Sequence, residues 1–134
     1  MDLVCPAPDE LLDRWLAEDI GRGDLTAAAL QGQQGQAHWV AKQPGRFCGG
    51  PLVQRLFQRL DPGVSVRLLR QDGDAVEAGD CLLELEGPAT ALVAGERTAL
   101  NLAMRLSGIA TATSELVAQL QGTGVRLADT RKTT

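Results

Sequence analysis

The stretch LADTRKTT places two cations side by side after a strand-like run. Arg131 offers a rigid fork of N–H donors that matches a carboxylate or a phosphate, whereas Lys132 supplies a mobile point charge. The hydroxyl of Thr130 adds a short-range donor beside them. If residues 125–129 form a barrel strand, these side chains follow its carboxyl end, where active sites of α/β barrels form. The alternative is a solvated segment with ordinary surface charge.

A second candidate is Arg97 in the stretch GERTALN, which the pattern places in the first turn of a helix that begins at Gly95. A cation in a first turn opposes the helix dipole, which favours an interaction with an anion elsewhere. The alternative is an ordinary ion pair with Glu96 or another carboxylate. Arg105, further along the same segment, is a weaker candidate and more typical of a surface residue.

The composition is that of a soluble globular protein. The 134 residues are 44% hydrophobic and carry a net charge of −4, which argues against general affinity for nucleic acid or anionic membranes. Eleven of the 13 cations are arginine, a bias that suits anion binding but that GC-rich codon usage also produces. The length predicts one domain, at most with the start of another.

The residues that commonly build metal centres and catalytic triads are scarce. Three cysteines form no CxxC pair, and there is one histidine. A disulfide framework, a zinc site and a catalytic triad are therefore not indicated. Neither a signal peptide nor a membrane-spanning apolar stretch is evident, and a cytoplasmic location is expected.

Periodicity predicts helices, a mostly antiparallel sheet and a final isolated strand. Helices are expected at 8–20, with Asp9 as N-cap, at 51–63, and twice within 95–122 with a break at 107–108. Strands are expected as a turn-linked pair within 36–50 and at 64–69, 81–87 and 125–129. The glycines of GRGDLT stop the first helix, and Asp24 caps the next turn. The prediction is an α+β fold, whose last strand has the character of a first parallel α/β unit.

The stretch DGDAVEAGDCLLELEG favours a different interpretation, because it is similar to the turn-and-strand pattern of biotinyl and lipoyl carrier domains. Those domains attach their cofactor to a lysine at a hairpin tip. No lysine occurs from residue 43 to residue 131, so the carrier function is excluded.

Three stretches together resemble one enzyme family. EDIGRGDLT, GPATALVAGERTALNLAMRLSGIATAT and LADTRKTT are similar, in order and spacing, to the signature blocks of the quinolinate phosphoribosyltransferases. The resemblance extends from about residue 9 to the last residue. It implies an N-terminal α/β sandwich with a four-stranded antiparallel sheet at 1–107, and at 108–134 the linker helices and first strand of an incomplete α/β barrel.

The resemblance also implies an activity and residue roles. The family reaction converts quinolinate and phosphoribosyl pyrophosphate, with Mg²⁺, into nicotinate mononucleotide, pyrophosphate and CO₂. By position, Thr130, Arg131 and Lys132 would line the substrate site, with Lys132 catalytic, and Arg97 would reach the site of a neighbouring subunit in a homodimer. The Mg²⁺ ligands are expected in barrel residues absent from this chain, so the 134 residues alone are expected to be inactive.

Two alternatives to this function stay open. A paralogue with the same architecture, such as a nicotinate phosphoribosyltransferase or a homologue associated with molybdenum transport, would share the fold, although DTRKTT favours the quinolinate enzymes. A non-catalytic dimerisation module would use the sandwich alone.

Overall fold

The structure is a computed structural model that describes residues 7–132. The helices are α1 (Asp9–Ile20), α2 (Leu25–Ala28), α3 (Gly50–Leu60) and α4 (Ala89–Gln119). The strands are β1 (Gln34–Val40), β2 (Gly45–Arg46), β3 (Ser65–Leu68), β4 (Ala75–Val76) and β5 (Cys81–Pro88). An antiparallel sheet has the order β1-β5-β3, and β2 pairs with β4 in a separate ribbon. The described residues thus form a three-stranded sheet and a two-stranded ribbon instead of the expected four-stranded sheet.

The core lies between one face of the three-stranded sheet and the helices α3 and α4. Alternation along β5 turns Leu83 and Leu85 inward, and both are buried. They belong to one cluster with Leu56 and Phe57 of α3 and Ala99 of α4. Burial of each large side chain contributes on the order of 1.5–3 kcal/mol, so this cluster fixes the position of α4 on the sheet.

The helical region predicted at 95–122 differs from the prediction. A single helix, α4, runs for 31 residues without a break at 107–108, and it begins at Ala89 instead of Gly95. The Ser107 hydroxyl accepts a hydrogen bond from the Cys48 N–H at 2.9 Å and donates one to the Cys48 carbonyl at 3.2 Å. The serine therefore binds the segment after β2, and packing outweighs the cost of about 1 kcal/mol for Gly108 in a helix.

The predicted strand at 125–129 is not observed. These residues have no ladder partner within residues 7–132, and a strand requires a neighbour for its backbone hydrogen bonds.

No helix within residues 7–132, α4 included, has the length and apolarity needed to cross a lipid bilayer.

The predicted cap of α1 is also wrong. Pro8 occupies the N-cap position, and Asp9 is the first helical residue. Its carboxylate instead accepts hydrogen bonds from Arg55 and from Arg59, both of α3. Arg59 also donates two parallel hydrogen bonds of 2.6 Å to the carboxylate of Asp13. These ion pairs connect α1 to α3. The predicted cap at Asp24, by contrast, is confirmed, because its side chain accepts hydrogen bonds from two backbone N–H groups of α2.

The α1–α3 ion pairs predict an acid-dependent loss of stability. Hydrogen bonding to Arg55 and Arg59 lowers the pKa of Asp9 and Asp13, respectively, below the ordinary value of 3.8. A lowered carboxyl pKa stabilises the fold fully above pH 3.8 and less as the pH falls through the folded-state value. We expect an Asp9→Asn/Asp13→Asn variant to show a shallower decline of the unfolding midpoint below about pH 4.

The measurement is the urea midpoint as a function of pH. Glu18→Gln is the matched control, since Glu18 is exposed on the same helix and has no ion pair among residues 7–132. An acid limb that is identical in the double variant and the wild type would contradict the prediction.

Candidate active-site residues

Arg97 lies on the outer side of α4, and its side chain is 76% exposed. Because α4 begins at Ala89, Arg97 is in the third turn, so the predicted first-turn position and its dipole argument are wrong. Its Nη1 atom donates a hydrogen bond to Asp19 Oδ1 at 3.0 Å. The carboxylate partner anticipated for Arg97 is therefore Asp19 of α1, not Glu96.

The contact between Arg97 and Asp19 leaves most of the guanidinium open. Arg59, by comparison, donates from Nε and Nη2 to the two oxygens of Asp13, so this pair of donors is fully occupied. Arg97 uses only Nη1, and its Nε and Nη2 groups have no partner within residues 7–132. A planar fork with two open N–H donors can donate two parallel hydrogen bonds to a further carboxylate.

The residues around Arg97 hold this part of α4 against the core. Gly95, Thr98 and Ala99 are buried, whereas Glu96 and Arg97 face outward, as the helical period requires. A Cβ atom at Gly95 would lie 2.6 Å from Cε1 of Phe57, which shows how closely α3 and α4 approach here. Gly95 is thus a packing residue within α4, a role that the sequence reasoning missed.

A signal for this packing was present in the sequence. Small residues recur every fourth position along α4, and all of them are buried: Ala91, Gly95, Ala99 and Ala103. A row of small side chains at this spacing forms one ridge of a helix and allows close approach of another. The row therefore fixes which face of α4 meets the core and, in consequence, which face carries Arg97.

The other predicted site residues follow α4 in an irregular segment. Residues 121–132 are exposed, and the Lys132 N–H donates a hydrogen bond to Thr130 Oγ1 at 3.3 Å. Roughly 33 Å of helix separates Arg97 from the last residue of α4. Within the described residues, no hydrogen bond or ion pair joins Arg97 to Thr130, Arg131 or Lys132. The chain therefore does not unite these cations in one hydrogen-bonded site.

A shallow pocket with a volume of about 570 Å³ lies away from Arg97, on the outer face of the three-stranded sheet. Its polar lining includes His38, Arg67, Glu84 and Glu86, and Arg67 already pairs with Glu84. Two carboxylates against one paired arginine do not favour an anionic substrate, so this surface does not compete with Arg97 as a carboxylate site.

A metal site is not evident in residues 7–132. No group of three or more His, Cys, Asp or Glu side chains in this range is placed to hold a metal ion. Mg²⁺ binds through several oxygen ligands in octahedral geometry, and the donors here do not fit that requirement.

Comparison with solved structures gives the class of fold. The NadC crystal structure from Streptococcus pyogenes superimposes with a TM-score of 0.88 at 35% identity, over 94% of this chain and 46% of that one. A NadC deletion mutant gives a TM-score of 0.90 at 34% identity, over 100% of this chain and 49% of that one. The chain thus has the mixed α/β fold of the corresponding part of these structures.

Sequence comparison gives the family. The model for the quinolinate phosphoribosyl transferase N-terminal domain matches residues 24–107. Probable carboxylating nicotinate-nucleotide pyrophosphorylases are 47% identical in Synechocystis, over 94% of this chain and 43% of the relative, and 46% identical in Bacillus subtilis, over 93% and 44%. The chain belongs to the quinolinate phosphoribosyltransferase family, as the signature blocks predicted. It spans less than half the length of these relatives.

Proposed function

We propose that this chain supplies the N-terminal part of an enzyme that transfers a phosphoribosyl group to quinolinate and removes one carboxyl group, in NAD biosynthesis. The products are nicotinate mononucleotide, pyrophosphate and CO₂. The observation that carries the proposal is family membership over nearly the whole chain, with 47% identity to a probable carboxylating nicotinate-nucleotide pyrophosphorylase. The exposed fork of Arg97 supports it, because the substrate is a dicarboxylate.

The reaction places its main demand on positioning and charge. The lone pair of the quinolinate ring nitrogen forms a bond to the anomeric carbon, and the carbon–oxygen bond to pyrophosphate breaks with its electron pair leaving on oxygen. The ring carbon then loses CO₂, keeps the electron pair and takes up a proton. The pyridinium nitrogen stabilises that electron pair, so no side-chain nucleophile is needed, and cations that align two anionic substrates supply the catalysis.

Four residues of this chain are assigned to that task. Arg97 binds a quinolinate carboxylate in the site of the neighbouring subunit of a homodimer. Thr130, Arg131 and Lys132 line the site of their own subunit, and Lys132 stabilises charge on the reacting groups as a point charge. The 33 Å or so of helix between the two groups supports an arrangement in which one site draws on two subunits.

The remaining parts of the proposed enzyme are proposed to correspond to the part of its relatives that this chain does not span. Residues 108–134 are proposed to lead from the sandwich domain at 1–107 into an α/β barrel, although residue 107 falls inside the continuous helix α4. Residues of the barrel are proposed to hold a Mg²⁺ ion, which would supply positive charge opposite the pyrophosphate. A cytoplasmic location is retained as part of the proposal.

The test is product formation by a complete enzyme that contains this chain. With quinolinate, phosphoribosyl pyrophosphate and Mg²⁺, we expect nicotinate mononucleotide and CO₂ in equal amounts, and no turnover by the 134 residues alone. Turnover with nicotinate instead of quinolinate, without CO₂ release, would overturn the proposal in favour of a paralogous activity. Turnover by the 134 residues alone would overturn the assignment of half the site to the barrel.

A further inference from the structure

The carboxylate of Asp19 occupies an unfavourable position for an acid. Asp19 is the penultimate residue of α1, where the negative end of the helix dipole disfavours a carboxylate. Its side chain is only 21% exposed, so solvent compensates the charge poorly. The ion pair with Arg97 offsets both effects.

The pairing between Asp19 and Arg97 is selective. Glu18 and Glu96 are the sequence neighbours of the two partners, and both are exposed and without an ion pair in residues 7–132. Of the carboxylates in residues 7–132, Asp19 is the one that reaches the guanidinium, 78 residues away in sequence. If the pair formed by chance at the surface, either exposed glutamate could serve equally well as the partner of Arg97. The observed partner is instead Asp19, whose position the fold fixes.

The local structure around Asp19 is built to hold it in place. Gly21 ends α1 with a φ of 55°, a conformation that favours glycine. Asp24 then starts α2 by accepting hydrogen bonds from Thr26 N–H and Ala27 N–H. Both α1 and α2 pack on α4, so the corner between them fixes the Asp19 carboxylate against the helix that carries Arg97.

From this arrangement we propose that Asp19 is a positioning residue for substrate binding: it holds Nη1 of Arg97 so that Nε and Nη2 stay open, side by side, for a carboxylate of the substrate. The inference rests on the proposed function. A free arginine side chain carries about 2 kcal/mol of rotamer entropy, and an Arg97 held in advance loses less of it when the substrate binds. Asp19 itself does not touch the substrate.

The test is a double-mutant cycle in the complete enzyme, read by the KM for quinolinate. We expect Asp19→Ala to raise this KM by about 10-fold with kcat nearly unchanged, because a less ordered Arg97 weakens binding. In an Arg97→Ala background, Asp19→Ala should change KM by less than about twofold, since it acts only through Arg97. Asp19→Asn, of nearly the same shape, keeps one acceptor oxygen and should give an intermediate KM.

Controls separate this inference from a structural role and from the proposed function. Glu18→Ala, on the same helix, should leave KM unchanged, and thermal unfolding should show that each variant folds. A wild-type enzyme that converts quinolinate together with an unaltered KM in Asp19→Ala, or equal effects of Asp19→Ala in both backgrounds, would overturn the positioning role and leave the proposed function intact. Absence of turnover in the wild type would overturn both.

Discussion

Replacement of Arg97 by alanine is expected to raise the KM for quinolinate by about 100-fold, because a bidentate, charge-assisted contact to a carboxylate is lost. The fold should stay intact, since the side chain is 76% exposed and alanine is a strong helix former. The KM for phosphoribosyl pyrophosphate should change little, because that substrate carries no carboxylate. Steady-state kinetics of the complete enzyme, with each substrate varied in turn, measures both values.

Two variants calibrate the result. Arg97→Lys keeps the charge and loses the planar fork, so we expect a rise in KM of about 10-fold, between wild type and alanine. Arg105→Ala removes an exposed arginine of the same helix that has no partner among residues 7–132, and it should leave KM unchanged. An unchanged KM in Arg97→Ala would remove Arg97 from the site.

Mixed dimers test whether Arg97 acts across the subunit interface. Subunits with Arg97→Ala and subunits with Lys132→Ala are each expected to form impaired homodimers. If Arg97 reaches the neighbouring site, a dimer of one subunit of each kind contains one site with both native residues, and activity is partly restored on mixing. If Arg97 serves its own subunit, both sites of the mixed dimer are defective and activity is not restored.

Local patterns predicted the parts of the fold that local interactions determine. The helix predicted at 51–63, which the structure has at Gly50–Leu60, and the cap at Asp24 are confirmed, since both depend on neighbours within four residues. The break predicted at 107–108 fails because Ser107 bonds to Cys48, 59 residues away, and that contact is invisible to a local pattern. Asp9 fails as a cap for the same reason: its partners are on α3.

The signature blocks predicted Arg97 as a site residue, but they did not indicate which residue holds its side chain. Each block is a short stretch, and its contacts to the other blocks exist only after folding. Asp19 lies in EDIGRGDLT and Arg97 in GERTALN, and their ion pair connects two blocks that the sequence presents as separate. The small residues around Gly95 were readable as a helix ridge, but a glycine before a helical run is also typical of a helix start. Periodicity over the longer stretch 91–103 distinguishes these two interpretations.

Gly95 leads to the second large effect. We expect Gly95→Ala to lower the free energy of unfolding by about 2 kcal/mol, because overpacking a close helix contact costs about 1–3 kcal/mol and outweighs the better helix propensity of alanine. The added Cβ atom would lie 2.6 Å from Cε1 of Phe57 and 3.1 Å from Cδ2 of Leu60. Phe57 has no exposed surface, so its ring cannot move away without displacing the core residues around it. Urea unfolding measures the change.

Gly108→Ala is the matched control, because it is the same substitution in the same helix, and beyond its chain neighbours and the local helix backbone no atom lies within 4 Å of the new Cβ. It should stabilise the protein by up to about 1 kcal/mol through helix propensity alone. If the two variants change the free energy of unfolding in opposite directions, α4 is held by contact at Gly95 and not by intrinsic helicity.

A displaced α4 also moves Arg97, two residues further on, away from Asp19. Gly95→Ala should therefore raise the KM for quinolinate as well, whereas Gly108→Ala should not. If Gly95→Ala instead stabilises the protein and leaves this KM at the wild-type value, the close packing at Gly95 does not support Arg97.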